Sequence, residues 1–204
     1  MILEAVSVGS MGVNCYILAE AKGSRAIIID PGDQAFKIRN VLDKYGLKPA
    51  FIINTHGHFD HIGADNDFGI PVYAHTSDIP LLKDALLNLS GLFSSPVMVE
   101  SEIKSLEDNQ IIDLDGIRLK VLHTPGHTEG GITLLLQKPV DKIAFTGDTL
   151  FCGGIGRSDL AGGSQDLLVK SIKEKLFTLA DDTRIYPGHG RPSTVGEEKR
   201  SGLL

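Results

Sequence analysis

Short apolar runs alternate along this chain with stretches whose apolar residues recur every three to four positions. Residues 1–8 (MILEAVSV) read as an opening strand. Residues 13–20 and 24–30 are two more strands, with Lys22-Gly23 as the turn between them, and Asp30-Pro31-Gly32 stops the second. The period then changes. Over 34–45 the residues Phe36, Ile38, Val41, Leu42 and Tyr45 fall mostly on one face of a helix, and Gly46 follows where a left-handed terminating residue belongs. A short apolar strand covers 50–54, a helix begins near Asp60 and ends before Gly69, and a strand covers 71–74. The leucine-rich stretch from Thr76 to about Leu89 reads as a helix, assigned to ordinary core packing over a place at a substrate cleft or an interface, and 91–102 reads as a loop.

The second half uses the same grammar. Strands are expected at 103–106, 110–114, 117–122, 132–137 and 142–147, with Asp115-Gly116 as a hairpin turn. A glycine-rich loop spans 149–163. Ser164 then caps a helix whose inner face includes Leu168, Ile172, Leu176 and Leu179. A last strand lies near 183–186, and a short helical turn covers 194–200. No repeat of 20–50 residues is present. Two runs of mainly hairpin-connected strands mixed with helices bury all their apolar faces when two sheets pack together with helices outside. The expected fold is α+β, a four-layer αββα sandwich with the same layout in both halves and with strand-end loops converging at one edge. A length of 204 residues fits one domain over 1–204.

Composition narrows the partners. Hydrophobic residues make up 42% of the chain, enough for a core, and a net charge of −6 gives no footprint for nucleic acid. No apolar window is long enough to span a membrane, and the acidic, non-basic start does not read as a signal peptide. Two cysteines, Cys15 and Cys152, cannot build a disulfide framework, so a reducing, cytoplasmic setting is expected. Cys15 is assigned to the core and Cys152 to an inert loop.

Candidate chemistry concentrates in Thr55-His56-Gly57-His58-Phe59-Asp60-His61, directly after the apolar run Phe51-Ile52-Ile53. Imidazole and carboxylate are ligands that zinc, iron and manganese accept, and H-x-H-x-D-H delivers four of them from one turn. Further candidates end later strands: Pro125-Gly126-His127, Thr146-Gly147-Asp148 and Pro187-Gly188-His189. Seven ligands exceed one tetrahedral site and suit two cations. His56, His58 and His127 are expected to hold the first, and Asp60, His61 and His189 the second, with Asp148 shared between them. Such a pair generates hydroxide at neutral pH, and that bridging hydroxide is the expected nucleophile. Asp30 is either a carboxylate orienting a ligand histidine or a turn residue before Pro31. Arg157 either binds a substrate carboxylate or braces its loop by pairing with Asp159. His75 and His123 are assigned structural roles.

From Asp30-Pro31-Gly32 to His189 these residues resemble the metallo-β-lactamase superfamily. The strings HTPGHTEGG (123–131) and TGDTLFCGGIGRSD (146–159) are similar to glyoxalase II, the hydroxyacylglutathione hydrolases, and more so to its short relatives, which also share the ending PGHGRPSTVGEEKR. The resemblance implies the αββα fold, a dinuclear metal site with zinc favoured and iron or manganese admissible, and hydrolysis of a thioester such as S-lactoylglutathione. It further implies that Asp60 both ligates and accepts a hydrogen bond from the hydroxide. Asp148 stands where β-lactamases of this fold usually place a cysteine. Only fifteen residues follow His189, so the C-terminal helical domain that helps glyoxalase II bind glutathione is not expected. Asp159 and Arg191 stand where that family has two tyrosines near the thiol. Mononuclear iron persulfide dioxygenases share TPGHT and GR-[ST]-D and use the equivalents of His56, His127 and Asp148, so oxygenation is the first rival. A lactonase or phosphodiesterase on the same metals is the second, and a non-enzymatic binding module the third.

Overall fold

The computed structural model describes residues 1–202 and 204. The chain opens as an antiparallel meander of β1 (Ile2–Val8), β2 (Val13–Ala19) and β3 (Arg25–Ile29). Helix α1 (Ala35–Tyr45) crosses back to β4 (Lys48–Ile53), which lies parallel to β3. Helix α2 (Phe59–Ile62) and a 3₁₀ turn (Asp65–Phe68) lead to β5 (Val72–His75). Helices α3 (Ile79–Lys83) and α4 (Ser90–Phe93) then lead to β6 (Ile103–Leu106). The six strands form one sheet in chain order.

The second sheet begins with the meander β7 (Ile111–Leu114), β8 (Ile117–His123), β9 (Ile132–Lys138) and β10 (Ile143–Gly147). A separate two-stranded hairpin, β11 (Leu150–Phe151) and β12 (Gly154–Ile155), precedes α5 (Gln165–Ser171), which widens into a π turn over Ile172–Leu176. Strand β13 (Arg184–Pro187) pairs parallel to β10, and β14 (Ser193–Thr194) and α6 (Val195–Arg200) follow. The sheet order is β14-β13-β10-β9-β8-β7. No helix among the described residues is long and apolar enough to cross a membrane.

Three buried clusters correspond to the three interfaces of four layers. Between the sheets, Tyr16, Leu18, Ile27, Ile29 and Ile53 meet Leu119, Val121, Leu134, Leu136 and Phe145. The alternate residues Cys15, Ile17, Ile28 and Ile52 point to the other side of the first sheet and pack on Ile38 and Leu42 of α1. Leu168, Ile172 and Leu176 cover Ile185 and Leu150 on the outside of the second sheet. A sheet covered on both faces has no polar side, so its strands read as continuous apolar runs.

Local signals account for several boundaries. Asp115 and Gly116 both adopt positive φ, 50° and 90°, as a two-residue hairpin turn requires. The Ser164 side chain accepts from Leu167 N–H at the start of α5. Thr194 and Glu197 form a reciprocal capping box at α6.

Other expectations fail. The two halves do not share a layout: the first sheet has three parallel pairings and the second has one. A parallel pair needs a crossover of about a dozen residues or more, which the helical segments supply mainly in the first half. Phe36 is 60% exposed, and Ala35 takes its place on the buried face of α1. The expected helix over 76–89 stops at Lys83, because the Asp84 carboxylate accepts from the backbone N–H of Leu86 and Leu87 and competes with helical bonding. The segment expected to be loop from 91 opens with α4, and the glycine-rich loop contains the β11–β12 hairpin.

Phe145 sits between the sheets with its ring 5.1 Å from that of Tyr16 and 5.6 Å from that of Tyr186. Phe145→Ala is expected to cost about 3–5 kcal/mol, read as a lower denaturant midpoint at unchanged slope.

Candidate metal centre

The C-terminal ends of β3, β4, β8, β10 and β13 lie at one edge of the sandwich, and each carries a polar residue of interest into the loop that follows. Backbone bonds close the two sheets on each other there. Ile132 N–H donates to Thr55 C=O at 2.8 Å, and Asn14 N–H donates to Gly188 C=O at 2.8 Å. Gly188 is required by close approach, since a Cβ there would run into the Asp148 carboxylate and the His61 ring. Gly126, at φ 132°, turns the chain against the backbone of Leu168 and so aims His127 inward.

The structure brings all seven residues of the expected ligand set together. His58 Nδ1 lies 2.9 Å from His127 Nε2, which lies 3.2 Å from His56 Nε2. His189 Nε2 is 3.4 Å from Asp60 Oδ2, and His61 Nε2 is 3.8 Å from the same oxygen. Asp148 stands between these two groups: Oδ1 is 3.4 Å from His61 Nε2, and Oδ2 is 3.6 Å from His127 Nε2 and 3.5 Å from His189 Nε2. In three trios, His56–His58–His127, His56–His61–Asp148 and Asp60–His61–His189, all ligand atoms lie within 4.8 Å of one another.

The donor chemistry fits a cation. His61 Nε2 and Asp148 Oδ1 are buried and have no hydrogen-bond partner among the described residues. Burial leaves such atoms unsatisfied at a cost of about 1–3 kcal/mol each, which a cation between them removes. Protein groups hold the opposite ring nitrogens. His61 Nδ1 lies 3.0 Å from Asp30 Oδ2, His127 Nδ1 donates to Arg157 C=O at 2.7 Å, and His189 Nδ1 donates to Met11 C=O at 3.1 Å. Each contact orients its ring so that Nε2 faces the other donor groups of the site.

Proton affinities divide the site. Burial, then the neighbouring histidines, push His56 well below the ordinary imidazole range. Burial and His127 push His58 down to about 3. Burial also opposes charge on His61, but Asp148, Asp30 and Asp60 together outweigh it and raise that pKa well above the usual value. Burial works against the Asp60 and Asp148 carboxylates as well, and the surrounding histidines still hold both below the usual range. The pocket therefore keeps anionic carboxylates and neutral His56 and His58, the forms a cation needs.

Asp30 links His61 to the end of β4: besides facing His61 Nδ1 it accepts from Thr55 N–H and Thr55 Oγ1, each at 2.7 Å. Arg157 contributes its carbonyl to His127, while its guanidinium pairs with Asp159 at 2.8 and 2.9 Å on the surface. His75 and His123 stack on each other with ring centroids 3.9 Å apart and join none of the three trios.

Asp78 was missed by sequence reasoning. It is fully buried and accepts from Gly57 N–H at 2.9 Å, Thr128 Oγ1 at 2.8 Å and Gly130 N–H at 2.6 Å. It thus joins the loop carrying His56 and His58 to the loop carrying His127. Nothing in its sequence neighbourhood, Thr76-Ser77-Asp78-Ile79, marks it as more than a helix-start acid. In Asp78→Asn an amide N–H must face a donor, so zinc affinity is expected to fall about 10–100-fold in a competition titration while the circular dichroism stays native.

Comparison with known proteins agrees with this geometry. The sequence profile of the Metallo-beta-lactamase superfamily matches residues 8–189. Hydroxyacylglutathione hydrolase GloC of Haemophilus influenzae is 35% identical over 208 residues, covering 98% of this chain and 96% of that protein. The probable metallo-hydrolase YqgX of Bacillus subtilis is 38% identical over 197 residues, covering 94% and 92%. Among solved structures, the BLEG-1 B3 metallo-beta-lactamase superposes with a TM-score of 0.89 at 35% identity over 98% of this chain and 97% of that one. TTHA1623 in a di-iron-bound form gives 0.82 at 35% identity over 97% and 98%. ETHE1 from Myxococcus xanthus gives 0.77 at 27% identity over 98% and 83%. With the profile spanning nearly the whole chain and the sandwich and edge site in place, this protein belongs to the metallo-beta-lactamase superfamily.

Proposed function

We propose that the chain is a thioester hydrolase of the hydroxyacylglutathione-hydrolase kind, acting on S-lactoylglutathione or a related thioester with two divalent cations, zinc ahead of iron or manganese. The observation that carries this reading is Asp148 standing within 3.6 Å of histidine nitrogens from both halves of the site. His56, His58 and His127 would hold one cation, Asp60, His61 and His189 the other, and Asp148 would contact both. Similarity to the hydroxyacylglutathione hydrolase GloC and to the di-iron-bound TTHA1623 supports the reaction and the pair of metals respectively.

When bound, the cations supply Lewis acidity and a hydroxide at neutral pH. The chain's own groups do the rest. Asp60, 12% exposed and facing the cleft, would accept a hydrogen bond from the attacking oxygen and so orient it toward the substrate carbonyl. Asp30 keeps His61 in place through Nδ1, and the Arg157 carbonyl does the same for His127. A thiol pKa of about 8.5 makes thiolate a competent leaving group, so no strong general acid is required.

A second reading, persulfide oxygenation at a single iron, is favoured by one subset: His127 Nε2 lies 3.2 Å from His56 Nε2 and 3.6 Å from Asp148 Oδ2, a two-histidine, one-carboxylate set. Oxygen uptake with glutathione persulfide measured beside thioester hydrolysis separates the two.

Two outcomes are expected. His58→Ala should lose bound metal by elemental analysis and lower kcat/KM for S-lactoylglutathione by at least about a hundredfold; wild-type values of both would end the reading. Chelation should abolish hydrolysis, and zinc, iron or manganese should restore it. Turnover of a β-lactam, as the name of the BLEG-1 metallo-beta-lactamase suggests for that protein, with every thioester inert would redirect the assignment.

A further inference from the structure

A cleft of about 710 Å³ opens over Asp60, Asp148 and His189. Its rim comes from four separate segments: Met11 between β1 and β2, Leu89 and Phe93 at the two ends of α4, Phe151 in β11, and Leu160 in the glycine-rich loop. Met11 is 55% and Phe93 72% exposed, so this apolar surface lacks a partner within the described chain. Large apolar side chains gathered at the mouth of a reactive site mark a surface that a ligand covers.

The α4 platform is built rather than loose. Asn88 is fully buried, and its side chain donates to Leu81 C=O at 3.0 Å and Val97 C=O at 2.8 Å. The Asn88 backbone carbonyl accepts from Phe59 N–H at 3.0 Å, which ties the platform to the helix carrying Asp60 and His61. Leu89 and Phe93 are therefore held at a fixed place beside the reacting groups.

Charge points the same way. Glutathione carries two carboxylates and an ammonium. Arg157 is the one lysine or arginine among the residues lining the cleft, and both arms of its contact go to Asp159. A net charge of −6 also disfavours approach of an anion.

We infer that the cleft selects thioesters with an apolar acyl chain on an uncharged thiol over S-lactoylglutathione. The inference rests on the hydrolase reading given above. Each methylene that moves from water onto Met11, Leu89, Phe93, Phe151 and Leu160 gains contact area in the bound state, so kcat/KM rises by about two- to fourfold per methylene until the chain outgrows the rim.

The test uses the zinc-loaded protein with two series, S-acyl-N-acetylcysteamines and S-acylglutathiones, each from acetyl to octanoyl, beside S-lactoylglutathione. The expected result is a rising kcat/KM along both series, with no advantage for glutathione at equal chain length. Phe93→Ser, which removes no core contact, should lower the octanoyl-to-acetyl ratio several-fold. A flat or falling series, or glutathione esters turned over more than tenfold better than their uncharged counterparts, overturns the inference and leaves the hydrolase reading standing. Inert S-alkyl-N-acetylcysteamine thioethers, followed by calorimetry, separate the opposite failure. Binding that tightens with chain length in a protein that cleaves no thioester keeps the apolar cleft and overturns the hydrolase reading.

Discussion

Five imidazoles and two carboxylates crowded at one edge of a sandwich are the constraint on which the rest of this structure depends. Three imidazole nitrogens converge within about 3 Å of a neighbour on one side, and an unpartnered Asp148 oxygen faces an unpartnered His61 nitrogen on the other. Such a cluster is tolerable only where a cation completes it and where the surrounding chain prevents the rings from turning away. Most of the local architecture serves the second condition. The outer nitrogens of His61, His127 and His189 are tied to a carboxylate or a carbonyl, and glycines let the strand ends come close enough to place them.

The fold supplies the rigidity this requires. Parallel pairs β3–β4 and β10–β13 each end at the same edge, so strands far apart in sequence deliver their following residues to one place. The sheets are cemented by the Tyr16–Phe145–Tyr186 aromatic cluster and sealed at the edge by the Thr55–Ile132 and Asn14–Gly188 backbone bonds. Asp78 extends the same logic between two loops that no strand pairing connects, since one buried carboxylate takes donors from both. Misplacing any of these supports by a fraction of an ångström would blunt the reaction without touching a ligand.

Two kinds of surface meet in the cleft. Its floor is charged and hydrogen-bonded, and its rim is apolar, with one guanidinium already occupied by Asp159. The floor carries the histidine and carboxylate groups, and the rim offers apolar surface from separate loops. The segment from Asp84 to Met98 is decisive here. Its local side-chain bonds at Asp84 and Asn88 break what apolar periodicity alone reads as one helix, and that break turns Leu89 and Phe93 toward the cleft.

The sequence by itself singled out the seven residues that gather at the edge, because H-x-H-x-D-H and the glycine-preceded His127, Asp148 and His189 are local patterns that need no partner to be recognised. It also determined most strand positions and the Asp115-Gly116 turn, since short apolar runs and a tolerance of positive φ are written into residue type. Tertiary structure alone decided the unequal pairing of the two sheets and the role of Asp78. It also decided the outward turn of Phe36. Each of these depends on which groups become neighbours once distant segments are packed, and on whether local hydrogen bonds outcompete a helix. A single chain read in order carries no record of those distances.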